Sequence, residues 1–283
     1  MTGMSNLTVV PLSPAVGAEI HGVDLTAELS NAELAEIRDA FHRYGVVFFR
    51  EQGLTPEQHI AFARRWGEIN VNRFFKHVDG YPQIAEVRKE PDQKDNVGSQ
   101  WHTDHSYDAA PAMGSMLLAK EVPEVGGDTL FASMHHAYEA LSSGMKRMLE
   151  GLRAVHSSRH VFGADRYAKD TDVADRLGNP ELATQDAVHP VVIRHPETGR
   201  KTLYVNRTFT LRFDGWTEEE SKPLLEFLYA HASRPEFTCR FRWRARSMAF
   251  WDNRAVWHLA LNDYHGHRRL MHRITIEGVP LEA

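Results

Sequence analysis

The strongest constraint on the fold is a series of short runs with period-two patterning that fills the chain after about residue 82. Phe237, Cys239, Phe241 and Trp243 alternate with Thr238, Arg240, Arg242 and Arg244. A strand turns successive side chains to opposite faces, so this segment has a core face and a solvent face. Residues 84–88, 115–119, 188–194, 202–206, 248–251 and 270–276 read as further strands, and 195–199 as a hairpin turn. In the last strand Leu270, His272, Ile274 and Ile276 share one face, which packs against helices. Arg269, Met271, Arg273 and Thr275 share the other. That face points to water or into a barrel. If it points inward, each guanidinium needs an anion, because an unpaired buried charge is very costly.

The first third is mixed. Thr8–Pro11 and Ala18–His21 read as strands, and 46–50 as a buried one. Asn31–Tyr44 reads as a helix, with Leu34, Ile37 and Phe41 at helical spacing and Gly45 to end it. Thr55 caps a second helix, with Pro56 at its first position, Gln58 three residues on and Gly67 closing it. Residues 134–152 and Glu218–Ala232 read as helices, the latter capped by Thr217 and Glu220. The polar segment 163–187 reads as a mobile lid over a site. With no repeat and no low-complexity linker, the 283 residues read as a single domain, 1–283. The pattern predicts a mainly β fold with flanking helices: a double-sheet barrel carrying its helices on one side.

Charge and cysteine usage narrow the partners. A net charge of −5 without long runs of one sign argues against a nucleic-acid groove or a membrane surface. Cys239 is the one cysteine, so no intrachain disulfide forms, which fits a reducing compartment. Residues 1–20 lack a basic stretch followed by an apolar core. A cytoplasmic protein is expected.

Histidine is abundant, at 17 residues, and His-x-Asp occurs twice. His77 and Asp79 run into Gly80-Tyr81-Pro82, an exposed turn. His102 and Asp104 precede the strand at 115. In an extended chain, positions i and i+2 point the same way, so both can reach one ion. Two protein ligands hold a metal poorly. His258, in the apolar run 255–261, is the candidate third. A lone histidine in such a run more often packs in a core; Arg269 and Arg273 just beyond it shift the balance to ligation. Two histidines and a carboxylate leave three open positions on an octahedral metal, the facial set of non-haem Fe(II) oxygenases. A zinc hydrolase and a non-catalytic small-acid-binding protein remain the alternatives at this point.

The sequence resembles the taurine and 2,4-dichlorophenoxyacetate dioxygenases over nearly its whole length. The matches run from Gly17-Ala18-Glu19-Ile20-His21-Gly22-Val23-Asp24 through Trp101-His102-Thr103-Asp104, Gly126-Gly127-Asp128-Thr129 and His189-Pro190. They continue through Leu203-Tyr204-Val205-Asn206, Trp251-Asp252-Asn253 and His258 to Arg269 and Arg273. Val155-His156-Ser157, residues 220–225 and Phe237-Thr238-Cys239-Arg240 look most like the aryloxyalkanoate (phenoxypropionate) branch.

The resemblance implies a double-stranded β-helix, or jelly-roll, core and an enzyme using Fe(II), 2-oxoglutarate and O2, with release of succinate and CO2. It implies that His102, Asp104 and His258 bind and work with the iron, and that Arg269 and Thr129 bind the distal carboxylate of 2-oxoglutarate. It places Arg273 where the taurine branch binds the substrate's sulfonate. Asn72, Phe75 and Gly98 replace that branch's polar His, Tyr and Asn, while Phe162 and Phe209 are kept as apolar walls. A small anionic substrate is expected: an aryloxyalkanoate, alkylsulfonate or alkylsulfate, with taurine itself as the alternative. The resemblance also implies a homo-oligomer, a dimer or tetramer.

Overall fold

The computed structural model describes residues 7–167, 172 and 176–283. In chain order the elements are β1 (Thr8–Pro11), β2 (Ala18–His21), α1 (Asn31–Tyr44), β3 (Val46–Phe49), α2 (Pro56–Arg64), β4 (Ile69–Asn70), β5 (His77–Val78), β6 (Tyr81–Lys89) and β7 (Gly114–Glu121). Then come β8 (Thr129–Ser133), α3 (Met134–Glu139), α4 (Ser143–Leu149), β9 (Arg153–Ser157), α5 (Arg159–Phe162), α6 (Ala164–Tyr167), β10 (Asp186–Pro190), β11 (Val192–Arg194) and β12 (Lys201–Leu203). β13 (Thr210–Phe213), α7 (Glu218–Ala232), β14 (Thr238–Phe241), β15 (Met248–Asp252), β16 (Val256–Ala260) and β17 (Arg269–Ile276) complete them.

Two sheets face each other. The larger runs β1-β2-β3-β15-β7-β17-β6-β5, with β4 also on β17; the smaller runs β14-β8-β16. Between them lie Phe48, Leu117, Ala249, Trp251 and Met271 from the large sheet and Phe131, Cys239 and Phe241 from the small one. Phe48 and Phe241 stack at 4.0 Å. The patterned segment around 240 thus packs as its alternation requires: Cys239 and Phe241 are buried and Arg240 is exposed.

Behind the large sheet, Ile37 and Phe41 of α1 and Ile60 and Phe62 of α2 pack on Val47, Phe49, Met116 and Ile274. Behind the small sheet, Tyr138 of α3 and Leu225 and Leu228 of α7 pack on Ala132 and Trp257. Helices therefore flank both sides, not one as expected. The outward faces of β8 and β16 carry these apolar residues and need a cover of their own. Among the described residues, no helix is long and apolar enough to cross a membrane.

Capping fixes the helix starts as the sequence indicated. Ser30, Thr55 and Thr217 each complete a capping box, and Gly45 closes α1 at φ 71°. Other boundaries differ. The helix expected over 134–152 breaks in two, because the Ser142 side chain caps a new start by accepting from the Met145 amide. The strand expected over 188–194 divides after Pro190, which has no N–H for a continuing ladder; β10 pairs with β9, and β11 with β12. α2 ends at Arg64, before Gly67, in a tightened turn in which the Arg65 and Trp66 amides donate to Phe62 and Ala63. The lid expected over 163–187 falls partly on residues 168–171 and 173–175, outside the described residues. Its described part carries α6, a 3-10 turn at Pro180–Leu182 and the start of β10.

Candidate metal centre and substrate cavity

His258 stands on β16, and His102 is clamped to it. The His102 amide donates to the His258 carbonyl at 3.1 Å, and the His258 amide donates back at 2.8 Å. This single antiparallel bridge adds the loop before β7 to the small sheet. Asp104, two residues on, reaches the same point. Its Oδ1 lies 3.7 Å from His102 Nε2 and 4.0 Å from His258 Nε2. One ligand atom from each of the three residues lies within 4.8 Å of the other two, a cluster that could close on one ion with bonds of about 2.1 Å.

Protonation suits ligation. His102 Nδ1 lies 2.7 Å from the Gln100 carbonyl, which only accepts, so Nδ1 carries the proton and Nε2 keeps its lone pair. Burial lowers the pKa of both histidines, and that of His258 falls well below the ordinary imidazole value. Burial alone would raise the Asp104 carboxyl; the Arg273 guanidinium beside it outweighs this and holds it below the usual carboxylate range. The set is two neutral imidazoles and one carboxylate.

The two oxygens of Asp104 have different partners. Oδ1 faces the histidines. Oδ2 accepts from the Ser115 hydroxyl at 2.8 Å. Ser115 accepts from Asn253 Nδ2 at 3.3 Å, and Asn253 Oδ1 accepts from the Trp251 indole at 2.9 Å. Trp251 also packs on His258, with ring centroids 4.6 Å apart. His77, of the other His-x-Asp pair, is exposed on β5 and takes no part.

The inward reading of β17 holds. Arg269, Met271, Arg273 and Thr275 are all buried between β6 and β7. Nε and Nη2 of Arg269 have no hydrogen-bond partner among the described residues. Beside it, the Thr129 hydroxyl accepts from the Trp243 indole at 2.9 Å, which leaves its own O–H free to donate. Arg269, Thr129, Trp251, His102, His258 and Arg273 line one cavity. A buried guanidinium without a counter-ion is strongly destabilising, so this end of the cavity fits an anion.

A second cavity adjoins the first, sharing Phe75, Gly98, His102 and Arg273 with it, and is walled by Phe162, Phe209 and Tyr107. Arg273 Nη1 lies 3.5 Å from both Asp104 oxygens, its Nε is unpartnered, and its guanidinium sits 4.4 Å over the Phe75 ring. Gly98 lines both cavities at φ 85°, and a Cβ there would meet His102 Cε1 at 3.1 Å. Asn72 is not among the lining residues. Its Oδ1 accepts from the Phe74 and Phe75 amides at 2.9 and 3.0 Å, so it shapes the turn that presents Phe75. Sequence reasoning missed His105 and Tyr107, which line this cavity. Alternation could not have found them, because 105 and 107 have the opposite parity to 102 and 104; the turn through His105, at φ 59°, brings both sets to one cavity.

Comparison with known proteins agrees with this arrangement. Residues 8–275 match the family model described as "Taurine catabolism dioxygenase TauD, TfdA family". An alkylsulfatase of Acinetobacter baylyi is 36% identical, covering 94% of this chain and 84% of its own. The (S)-phenoxypropionate/alpha-ketoglutarate-dioxygenase of Sphingobium herbicidovorans is 33% identical, covering 96% and 95%. The crystal structure of a taurine dioxygenase from Burkholderia xenovorans superposes with a TM-score of 0.81 at 41% identity, covering 96% and 91%. The chain belongs to the taurine catabolism dioxygenase TauD, TfdA family and is a dioxygenase dependent on Fe(II), 2-oxoglutarate and O2.

Proposed function

We propose that the enzyme hydroxylates a small anionic organic substrate of aryloxyalkanoate, alkylsulfonate or alkylsulfate type, releasing succinate and CO2. The observation that carries this reading is Arg273. It is a buried guanidinium with an unpartnered Nε, set beside Asp104 at the head of an aromatic-walled cavity. The sulfate and phenoxypropionate chemistry named for the two relatives is consistent with it.

In this reading His102, Asp104 and His258 hold the iron, which when bound supplies dioxygen activation and the oxidising step. Asp104 fills a position that halide would need, so its presence favours hydroxylation over halogenation. Arg269 and the free Thr129 O–H bind the distal carboxylate of 2-oxoglutarate; a planar guanidinium matches a carboxylate in two places. Arg273 holds the substrate's acid group, and Phe75, Phe162 and Phe209 exclude water and orient the carbon chain. Hydroxylation beside an ester or ether oxygen gives a product that breaks down by itself to a carbonyl compound and the released oxygen group.

The single domain and the cover over the cavity belong to the same reading. The Gly178 amide donates to the Phe74 carbonyl at 2.7 Å, and Leu177 bridges Phe75, so part of 163–187 docks on the turn carrying Phe75. Cys239 is free and buried, which suits a cytoplasmic enzyme. Light scattering tests the expected dimer or tetramer.

The deciding experiment measures substrate-dependent succinate under Fe(II), 2-oxoglutarate and ascorbate. The panel holds alkyl sulfates, alkylsulfonates, taurine and both enantiomers of phenoxypropionate. A strong preference for taurine would overturn the reading of Phe75 and Gly98 as marks of a larger, more apolar acid. Arg273→Ala should weaken every accepted substrate about 10- to 100-fold while metal and 2-oxoglutarate binding persist. Unchanged substrate affinity would remove Arg273 from the site.

A further inference from the structure

We propose that Tyr107 is a specificity-determining residue whose phenol donates a hydrogen bond to the oxyanion head group of the substrate, alongside Arg273. This rests on the reading of Arg273 as the anion-binding residue.

The segment that carries Tyr107 is held in one register from every side. Asp104 points to the two histidines. Ser106 is pinned behind it: Asn206 Nδ2 donates to its hydroxyl oxygen at 3.0 Å, and His156 Nδ1 lies 3.1 Å away. His105 sits at φ 59°, a left-handed conformation uncommon for a residue with a Cβ. Its Nδ1 donates to Asp108 Oδ2 at 2.9 Å, and Arg73 pairs with the other Asp108 oxygen. The His189 side chain meets the Asp108 carbonyl at 3.0 Å. Residues on both sides of Tyr107 are therefore fixed, and the side chain cannot turn away.

Tyr107 itself is 2% exposed. Its ring lies edge-on to Phe209 at 4.9 Å and to Phe162 at 5.9 Å, and the Arg73 guanidinium lies 5.4 Å from its centre. The hydroxyl makes no hydrogen bond among the described residues. The hydroxyl is not sealed in the core: it keeps accessible surface and opens to the cavity, where a ligand oxygen can meet it. That cavity also holds Arg273.

The other polar side chains of that cavity are committed or shared with its outer opening. His102 and Asp104 serve the metal centre, and His105 is spent on Asp108. Thr208 also has a buried, unpartnered hydroxyl, but the residue lines the outer opening past Val161 and Phe162 as well, whereas Tyr107 lines the inner cavity alone. Arg273 approaches from β17 and Tyr107 from the loop after the metal motif. A head group that meets both must present oxygens in two directions. An oxyanion does so, whereas an ammonium group would meet the charge of Arg273. Pre-set donors of this kind discriminate well, because a ligand lacking the acceptor leaves them unsatisfied.

Tyr107→Phe tests this, since it keeps the ring and deletes the O–H. Steady-state kinetics on an alkyl sulfate, an alkylsulfonate and an aryloxyalkanoate are measured beside Mn(II) affinity, the KM for 2-oxoglutarate and the melting temperature. The expected result is a 10- to 100-fold loss of kcat/KM for the preferred oxyanion, carried mainly by KM, with the other three measurements unchanged. A loss confined to sulfates and sulfonates assigns the contact to a tetrahedral head; an equal loss for the carboxylate assigns it to oxyanions in general. Unchanged kcat/KM on every substrate the parent turns over overturns the assignment and leaves the hydroxyl to water. If the parent turns over none of the three classes, the substrate reading fails and the tyrosine assignment with it.

Discussion

At the scale of single residues, Asp104 shows how much a neighbour can decide. Oδ1 faces the histidines only while Oδ2 is held by Ser115, and Ser115 is fully buried. Ser115→Ala frees Oδ2 to approach the metal and to close a position that cosubstrate and oxygen require. Outer partners of this kind typically change activity or metal affinity 10- to 100-fold. The expected outcome is Mn(II) binding within about tenfold of the parent, read by electron paramagnetic resonance, with kcat down 10- to 100-fold and substrate KM little changed. A full kcat would show that the hydroxyl is only packing. The cluster of His102, Asp104 and His258 was legible from residue type and spacing, while the roles of Arg269 and Thr129 entered only through the family resemblance; the structure brings all five to one cavity or its edge. Ser115 was not legible: a serine inside an apolar strand looks like filler until its partner across the fold is known. Asn72 misled for the opposite reason, since a polar side chain near a cavity can serve the backbone that shapes it.

At the scale of elements, β17 was half legible. Its two faces followed from alternation, but which face is inward depends on β6 and β7 on either side of it. Caps fixed helix starts because they are local; the break at Ser142 and the division after Pro190 depend on which partner each segment finds. α2 carries a testable consequence of its packing toward β17. His59 is 1% exposed, and neither ring nitrogen has a partner. Burial, helped by His272 and Lys120, pushes its pKa down to about 3. The unfolded chain therefore binds a proton near pH 6.5 that the folded chain refuses, and stability falls as pH drops from there toward 3. This site alone contributes a slope of up to about 1.4 kcal/mol per pH unit in that window. His272, pushed down to about 4, adds to it with the same sign. Urea unfolding of the parent and of His59→Leu at pH 7 and pH 5 should give a smaller loss for the variant. Equal losses would mean that His59 finds a proton-accepting partner in the fold.

At the scale of the whole molecule, the turn joining β15 to β16 is where separate parts of the chain meet. The Asp252 amide donates to Gly45 at the end of α1, the Asn253 amide to Met113 before β7, and the Met134 amide at the start of α3 to Ala255, each at 2.9 Å. Asp252 binds Arg254 at 2.7 Å and His195 of the β11–β12 hairpin at 2.9 Å, and Arg254 reaches Glu197 of the same hairpin at 2.9 Å. Burial alone would raise the Asp252 carboxyl; Arg254 and His195 outweigh it and hold the carboxyl well below the usual carboxylate range. Asn253, between these charges, supports Ser115 and so the metal side. Removing one partner of a buried pair strands the other charge, which costs about 3–5 kcal/mol, whereas an exposed pair is worth under ~1 kcal/mol. Arg254→Ala should therefore unfold far earlier in urea than the parent, and Arg234→Ala, which breaks the exposed pair with Glu236, should be close to neutral. The distant consequence is the sharper check: under conditions where Arg254→Ala is still folded, Mn(II) affinity should fall as well, because the turn that loses its anchor is the one that carries Asn253. If stability drops while metal affinity stays at the parent value, the turn supports the fold without transmitting to the site.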